Sequence, residues 1–216
     1  MIRINDIEQG TSEWHETRYR KVGGSTAKGL FVKSDTLKIE LLGQFFESFN
    51  YVEGYISDDM ARGNLLEPFA VDELNKYTGL EFNDAGWLQC EEIPLLGISP
   101  DGITNDNKFS CEIKCPARKK HTETILKDAI PLDNLHQCLH YFVINPTLEK
   151  HYFASYRPEN KIKPLFVKEL TKDSIINLGT IKKPQLLTIK EWVEIAKQHA
   201  KELQISIDES IKQLEF

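Results

Sequence analysis

The sequence predicts an α/β domain, a mixed central β-sheet flanked by α-helices, and three observations carry that expectation. First, residues 93–116, IPLLGISPDGITNDNKFSCEIKCP, read as one hairpin. An apolar arm ends in Ser99-Pro100, Asp106-Asn107 supplies the turn, and Phe109, Cys111, Ile113 and Cys115 alternate with Ser110, Glu112 and Lys114 at the period of a half-buried strand. Second, segments with apolar residues at helical spacing lie on both sides of that hairpin. Third, two strand-like runs, 150–156 and 163–168, follow and extend the sheet. The chain has 216 residues, 40% hydrophobic and 28% charged, enough for one sizeable core. We expect a single domain over 1–216, with a core of about 9–170 and a C-terminal helical segment of about 188–216.

Composition narrows the function classes. No run approaches 18 apolar residues and MIRINDIEQG has no apolar leader core, so a cytoplasmic protein with no membrane partner is expected. Cys90, Cys111, Cys115 and Cys138 show no C-x-x-C spacing and read as reduced thiols, not as an iron–sulfur cluster. A net charge of −6 argues against nucleic acid unless the basic residues are gathered. They gather in Arg18-Tyr19-Arg20-Lys21 and Arg118-Lys119-Lys120-His121, the second run directly after the hairpin.

In chain order, residues 12–20 begin with a Ser or Thr cap and carry Glu13 and Glu16 in the first turn, a short helix. GGSTAKGLF then reads as a glycine turn opening a second helix, whose free N–H groups favour an anion. Residues 36–49 are apolar at helical spacing and read as core. Residues 58–77 read as a helix closed by Gly79, with one position out of pattern. The helical neighbours of Glu67 are Met60, Gly63, Ala70, Val71 and Leu74, all apolar or small. A carboxylate on such a stripe needs a cation or a metal, or else a structural arginine.

The hairpin holds the chemistry. An even-numbered loop centred on Asp106-Asn107 sets Asp101 opposite Glu112, and Lys114 lies two residues on, on the same face. Directly paired residues have Cβ atoms about 4.5–5.5 Å apart, close enough for one divalent ion to bridge both carboxylates. The competing reading is an ordinary exposed hairpin with scattered charges. Two carboxylates facing each other make sense chiefly with a cation between them, and a lysine beside them can orient or deprotonate a water and stabilise charge on a phosphate.

Beyond the hairpin, residues 117–130 read as a helix stopped by Pro131, and LDNLHQCLHYFVI as another with Gln137 and Tyr141 on one face. His136 and His140 share a neighbouring face at a spacing that can bind metal, but with no third ligand nearby they read as surface or core histidines. Residues 171–184 read as loop and short helix, and 188–216 as helical segments.

Pro100-Asp101 with Glu112-Ile113-Lys114, inside the longer strings SPDG and EIKCP, resembles the PD-(D/E)xK nuclease superfamily and, within it, the phage lambda exonuclease or YqaJ-type viral recombinase family. The resemblance runs from about Gln9 to Arg157. It implies a PD-(D/E)xK core and a Mg²⁺- or Mn²⁺-dependent 5′ to 3′ exonuclease on double-stranded DNA ends, with two ions per site. Asp101, Glu112 and the Ile113 carbonyl would hold metal, Lys114 would activate water, and Glu67, in a G-x-x-x-E context, would assist. Arg18, Ser25, Ser99 and Gln137, the last within Q-x-x-x-Y, would hold a 5′-phosphate. A ring-shaped homotrimer, a single-strand annealing protein as partner, and a phage or prophage origin in a bacterial host also follow from the resemblance. The alternatives are a restriction- or repair-type endonuclease and a non-catalytic DNA-end-binding protein.

Overall fold

A computed structural model describes residues 1–216 except 6, 53, 55, 56, 215 and 216. The centre is a four-stranded mixed sheet in the order β4 (Gly102–Ile103), β5 (Phe109–Lys114), β6 (Lys150–Tyr156), β7 (Leu165–Thr171). The outer pairs are antiparallel and β5 and β6 run parallel. A parallel pair needs a long crossover, here α5 (Arg118–Lys127) and α6 (Leu132–Ile144).

The turn reading survives in detail. Gly102 pairs with Cys111 and Ile103 with Ser110, which continues to Asp101 opposite Glu112. Asn107 takes the left-handed conformation at φ 61°, and the Asp106 carboxylate accepts from Thr104 and from the Lys108 N–H. The single long hairpin does not survive. Residues 97–98 form β3 in a second sheet, β1 (Ile2–Ile4), β2 (Trp87–Gln89), β3, and the arm breaks at Ser99-Pro100, where proline has no N–H to give a ladder. Gly97 fits there because a Cβ would meet the Trp87 ring at 2.1 Å.

Nor is β5 half-buried. Ala70 and Leu74 of α4 (Asp58–Thr78) cover its Cys111 and Ile113 face, while α6 covers the face of Ser110 and Glu112. Helix α4 is as read, capped by Ser57 and closed by Gly79 at φ 71°. Helix α1 (Ser12–Arg18) stops earlier than expected, because Arg20 sits at φ 61° and its guanidinium donates to the carbonyls that end α3 (Asp35–Phe46). Residues 36–49 are less buried than their pattern suggested. Leu37 and Leu41 are core, whereas Ile39 and Phe46 are exposed.

The glycine turn leads into a 3₁₀ turn, Gly24–Thr26, and the short α2 (Lys28–Phe31). Residues 171–184 hold no helix: β8 (Ile175–Asn177) and β9 (Leu186–Thr188) form a two-stranded ribbon. The Asn177 carboxamide oxygen ties its loop by accepting from Gly179 and Gln185 N–H. Helix α7 (Ile189–Leu214) is one continuous helix whose Trp192, Ala196, Ala200 and Ile207 join the main core with Leu139 and Phe142 of α6. Among the described residues, no helix is long and apolar enough to cross a membrane.

Candidate active site

The carboxylates and the lysine meet where β5 ends. Asp101, in the bend after Pro100, accepts from the Ile113 N–H at 2.6 Å. Glu112 is fully buried. One of its oxygens binds the Lys114 ammonium and the other accepts from the Tyr141 hydroxyl at 2.9 Å. Glu67 arrives from α4, continuing the Ala70–Leu74 stripe past the end of β5, and shares the wall of one cavity with Ile113 and Lys114.

Charge is crowded here. Burial first, then Asp101, pushes Glu112 up to about 7, and the same two causes raise Glu67 to about 7. Asp101 is raised too, by burial, against the pull of Lys114 and the Ile113 N–H. Burial pulls Lys114 down, but Glu112 and Asp101 together outweigh it, so the lysine is raised and stands as an ammonium. A buried site with more carboxylates than cations is one that a further cation would relieve. Its donors are all oxygen, which suits a hard divalent ion. Among the described residues no compact group of three or more His, Cys, Asp or Glu side chains surrounds one point. The residues present, Asp101 and Glu112 with oxygen donors only, fit an ion such as Mg²⁺ that takes one or two carboxylates and keeps several waters.

Arg18 lines a second cavity of about 380 Å³ with Gly23, Ser25 and Thr26. Its guanidinium stacks on the Trp14 ring, 3.8 Å from the centroid, and burial lowers its pKa from the ordinary value. Gln137 reaches the same turn from α6: a Cβ on Gly24 would meet its side chain at 2.9 Å. Ser99 is placed differently. Its hydroxyl donates to the Gly86 carbonyl and accepts from Trp14 Nε1 at 3.0 Å, beneath the ring on which Arg18 rests. Its proton is already used, so it supports the arginine through Trp14 and does not line the cavity. Of the first basic run, Arg20 is spent on α3, while Arg18 and Lys21 both line that space, Lys21 with its ammonium donating to the Pro94 carbonyl. In the second run His121 is fully buried, between Ser155 and the Lys163 carbonyl.

Residues 13–147 match the model of the YqaJ-like viral recombinase domain. The chain belongs to that family. Every nominated site residue, from Arg18 to Gln137, lies inside the matched stretch of the YqaJ-like domain. Among solved structures, the exonuclease LHK-Exo in complex with dAMP matches with a TM-score of 0.76 at 22% identity, over 94% of this chain and 96% of that one. The alkaline exonuclease LHK-Exo from Laribacter hongkongensis gives 0.73 at 23%, over 94% and 97%. A phage related exonuclease from Haemophilus somnus 129PT gives 0.61 at 15%, over 90% and 96%. At these identities the likeness is one of fold, and it is the PD-(D/E)xK α/β core. No curated protein matches the sequence.

Two features of the site escaped the sequence, whereas His136 and His140 are core histidines, within the surface-or-core reading given them. Tyr141 was visible as half of Q-x-x-x-Y, but its hold on Glu112 was not. Arg62 and Arg157 donate to the carbonyls of Cys115 and Pro116 and fix the segment that leaves the sheet just after Lys114. No local pattern marks contacts that span such separations. His136 and His140, spaced for metal, are buried apart: His140 bonds the Gly97 carbonyl and His136 packs against Phe31.

Proposed function

We infer that this chain is a metal-dependent deoxyribonuclease that digests one strand of duplex DNA from its 5′ end and leaves 3′ single-stranded tails for recombination. The observation that carries the reading is the group at the end of β5, the fully buried Glu112 with the half-buried Asp101 and Lys114, and Glu67 beside it. Carboxylates buried together cost stability, so their presence is best explained by chemistry. Family membership and the shared fold with named exonucleases support the same class.

Asp101, Glu112 and the Ile113 carbonyl would hold Mg²⁺ or Mn²⁺, two ions per site. When bound, such ions supply Lewis-acid stabilisation of phosphate charge and a more acidic water. The chain's own groups do the remaining work. Tyr141 fixes one Glu112 oxygen, and Lys114, charged and anchored, orients the attacking water and offsets charge building on the phosphate. Glu67, held near 7, is suited to accept or return a proton at neutral pH. Arg18, with Ser25 and Gln137 around it and Ser99 behind Trp14, would receive the terminal 5′-phosphate. A homotrimeric ring around DNA, a single-strand annealing partner, and residence in the cytoplasm of a bacterial host as a phage or prophage product belong to the same reading and rest on the family.

The test is digestion of matched linear and closed-circular duplexes, with Mg²⁺ and with EDTA. Mg²⁺-dependent loss of the 5′-ended strand and an intact circle are expected. A nicked or linearised circle would favour an endonuclease, and tight end binding without cleavage a non-catalytic protein.

A further inference from the structure

Helix α6 carries its site residues on one stripe. Tyr141 bonds Glu112, Gln137, four residues earlier, packs on Gly24, and Asn134, one turn earlier again, lines the cavity beside Lys114. That cavity, about 550 Å³, is of ligand size and runs between Glu67 of α4 and the start of α6. Asn134 is 8% exposed, and its carboxamide oxygen is buried without a hydrogen-bond partner among the described residues. Four neighbours on the Lys114 side of that wall are committed. Lys114 holds Glu112, Lys120 pairs with Asp133, Thr124 donates to the Lys120 carbonyl, and Ser155 bonds His121. A buried carboxamide left open is costly, and beside a catalytic group it points to a ligand.

The chemistry of the open group selects the ligand. A carboxamide oxygen accepts and needs an N–H or O–H donor. The phosphodiester backbone of DNA offers only acceptors, so the donor must come from a base edge. A carboxamide also carries N–H groups, and this donor–acceptor pair matches an amino group beside an accepting ring nitrogen, as in adenine and cytosine, of which the larger purine better fills a cavity of this size. We propose that the cavity takes an unstacked nucleobase of the digested strand and that Asn134 reads it, with adenine preferred. This rests on the nuclease reading, and it adds a base-reading subsite on the Lys114 side, apart from the Arg18 cavity.

The experiment compares duplexes whose three terminal nucleotides on the digested strand are deoxyadenosine or deoxynebularine, a purine lacking the amino group. Initial digestion rate in Mg²⁺ and equilibrium binding in EDTA are measured for wild type, Asn134→Ala and Asn134→Leu. Wild type should favour the adenine end by about five- to tenfold in rate or in affinity, the scale of one base contact. Both variants should lose that ratio, treating the adenine and nebularine ends alike in rate and in affinity. Equal treatment of the two ends by wild type overturns the proposal and leaves the nuclease reading standing. So does a preference that survives in both variants. Wild type that cleaves neither end sinks the nuclease reading, and the binding ratio then decides the base-reading proposal alone.

Discussion

Lys114 and Tyr141 separate two roles that a single burial pattern would merge. Lys114 touches the charge of the site and packs little of the core, so Lys114→Ala should abolish cleavage while duplex binding stays within about threefold in a gel-shift titration. Turnover at the wild-type rate would remove the assignment. Tyr141 holds Glu112 with its hydroxyl and stacks its ring on His151, centroids 4.2 Å apart. Tyr141→Phe keeps the stack and deletes one buried charge-assisted bond, of about 1.5–3 kcal/mol, so kcat should fall roughly 10- to 150-fold and the melting temperature should fall as well. His140 gives a prediction in pH. Burial lowers it to about 4, so below an unfolded pKa near 6.5 the unfolded chain takes up a proton that the folded one refuses. Its stabilising contribution is complete above pH 6.5 and is lost as pH falls toward 4. His140→Gln keeps a donor for the Gly97 carbonyl and cannot titrate. Between pH 7.5 and 5.5, wild type should therefore lose about 1.4 kcal/mol more than the variant in urea unfolding. Parallel losses would mean that His140 titrates normally.

At the scale of elements, what could be read was local and what could not was remote. The register that faces Asp101 with Glu112 was legible because turn chemistry and a period of two fix it within a dozen residues. Glu67 was legible because a charge on an apolar helical stripe is a local contradiction. The break at Ser99-Pro100 was not, since β3 owes its pairing to β2 and to the Trp87 ring over Gly97. Nor was the β8–β9 ribbon, whose loop depends on one Asn carboxamide and a glycine with no room for a Cβ. The α1 terminus offers a paired test. Arg20 donates to the Gln44, Phe45 and Glu47 carbonyls, whereas Arg18 faces a cavity. Arg20→Ala should cost about 2 kcal/mol of stability and leave the preference for 5′-phosphorylated ends alone. Arg18→Ala should do the reverse, erasing most of a preference of roughly 10- to 150-fold that follows from one such charge-assisted contact. Initial rates on phosphorylated and hydroxyl ends, beside urea melts, check both. Equal wild-type rates on the two ends would mean the pocket has no such use.

For the molecule as a whole, an acidic chain carries its site at the end of one central strand, so the proposed affinity for DNA would have to come from a few placed cations. A ring-forming trimer should give three times the chain mass of 24.9 kDa in sedimentation equilibrium, together with processive digestion. A monomer with distributive digestion would remove the ring and leave the site intact. The groups placed in the chemistry lie between Arg18 and Tyr141, yet α7, from Ile189 onward, lays Trp192, Ala196 and Ala200 into the core shared with α6. During synthesis the acidic residues therefore leave the ribosome long before the helix that steadies Tyr141 and Gln137. The α6 groups therefore take their final packing only once α7 is in place, so substitutions that loosen Trp192 or Ala196 should be felt at Tyr141 and Gln137, far from where they are made.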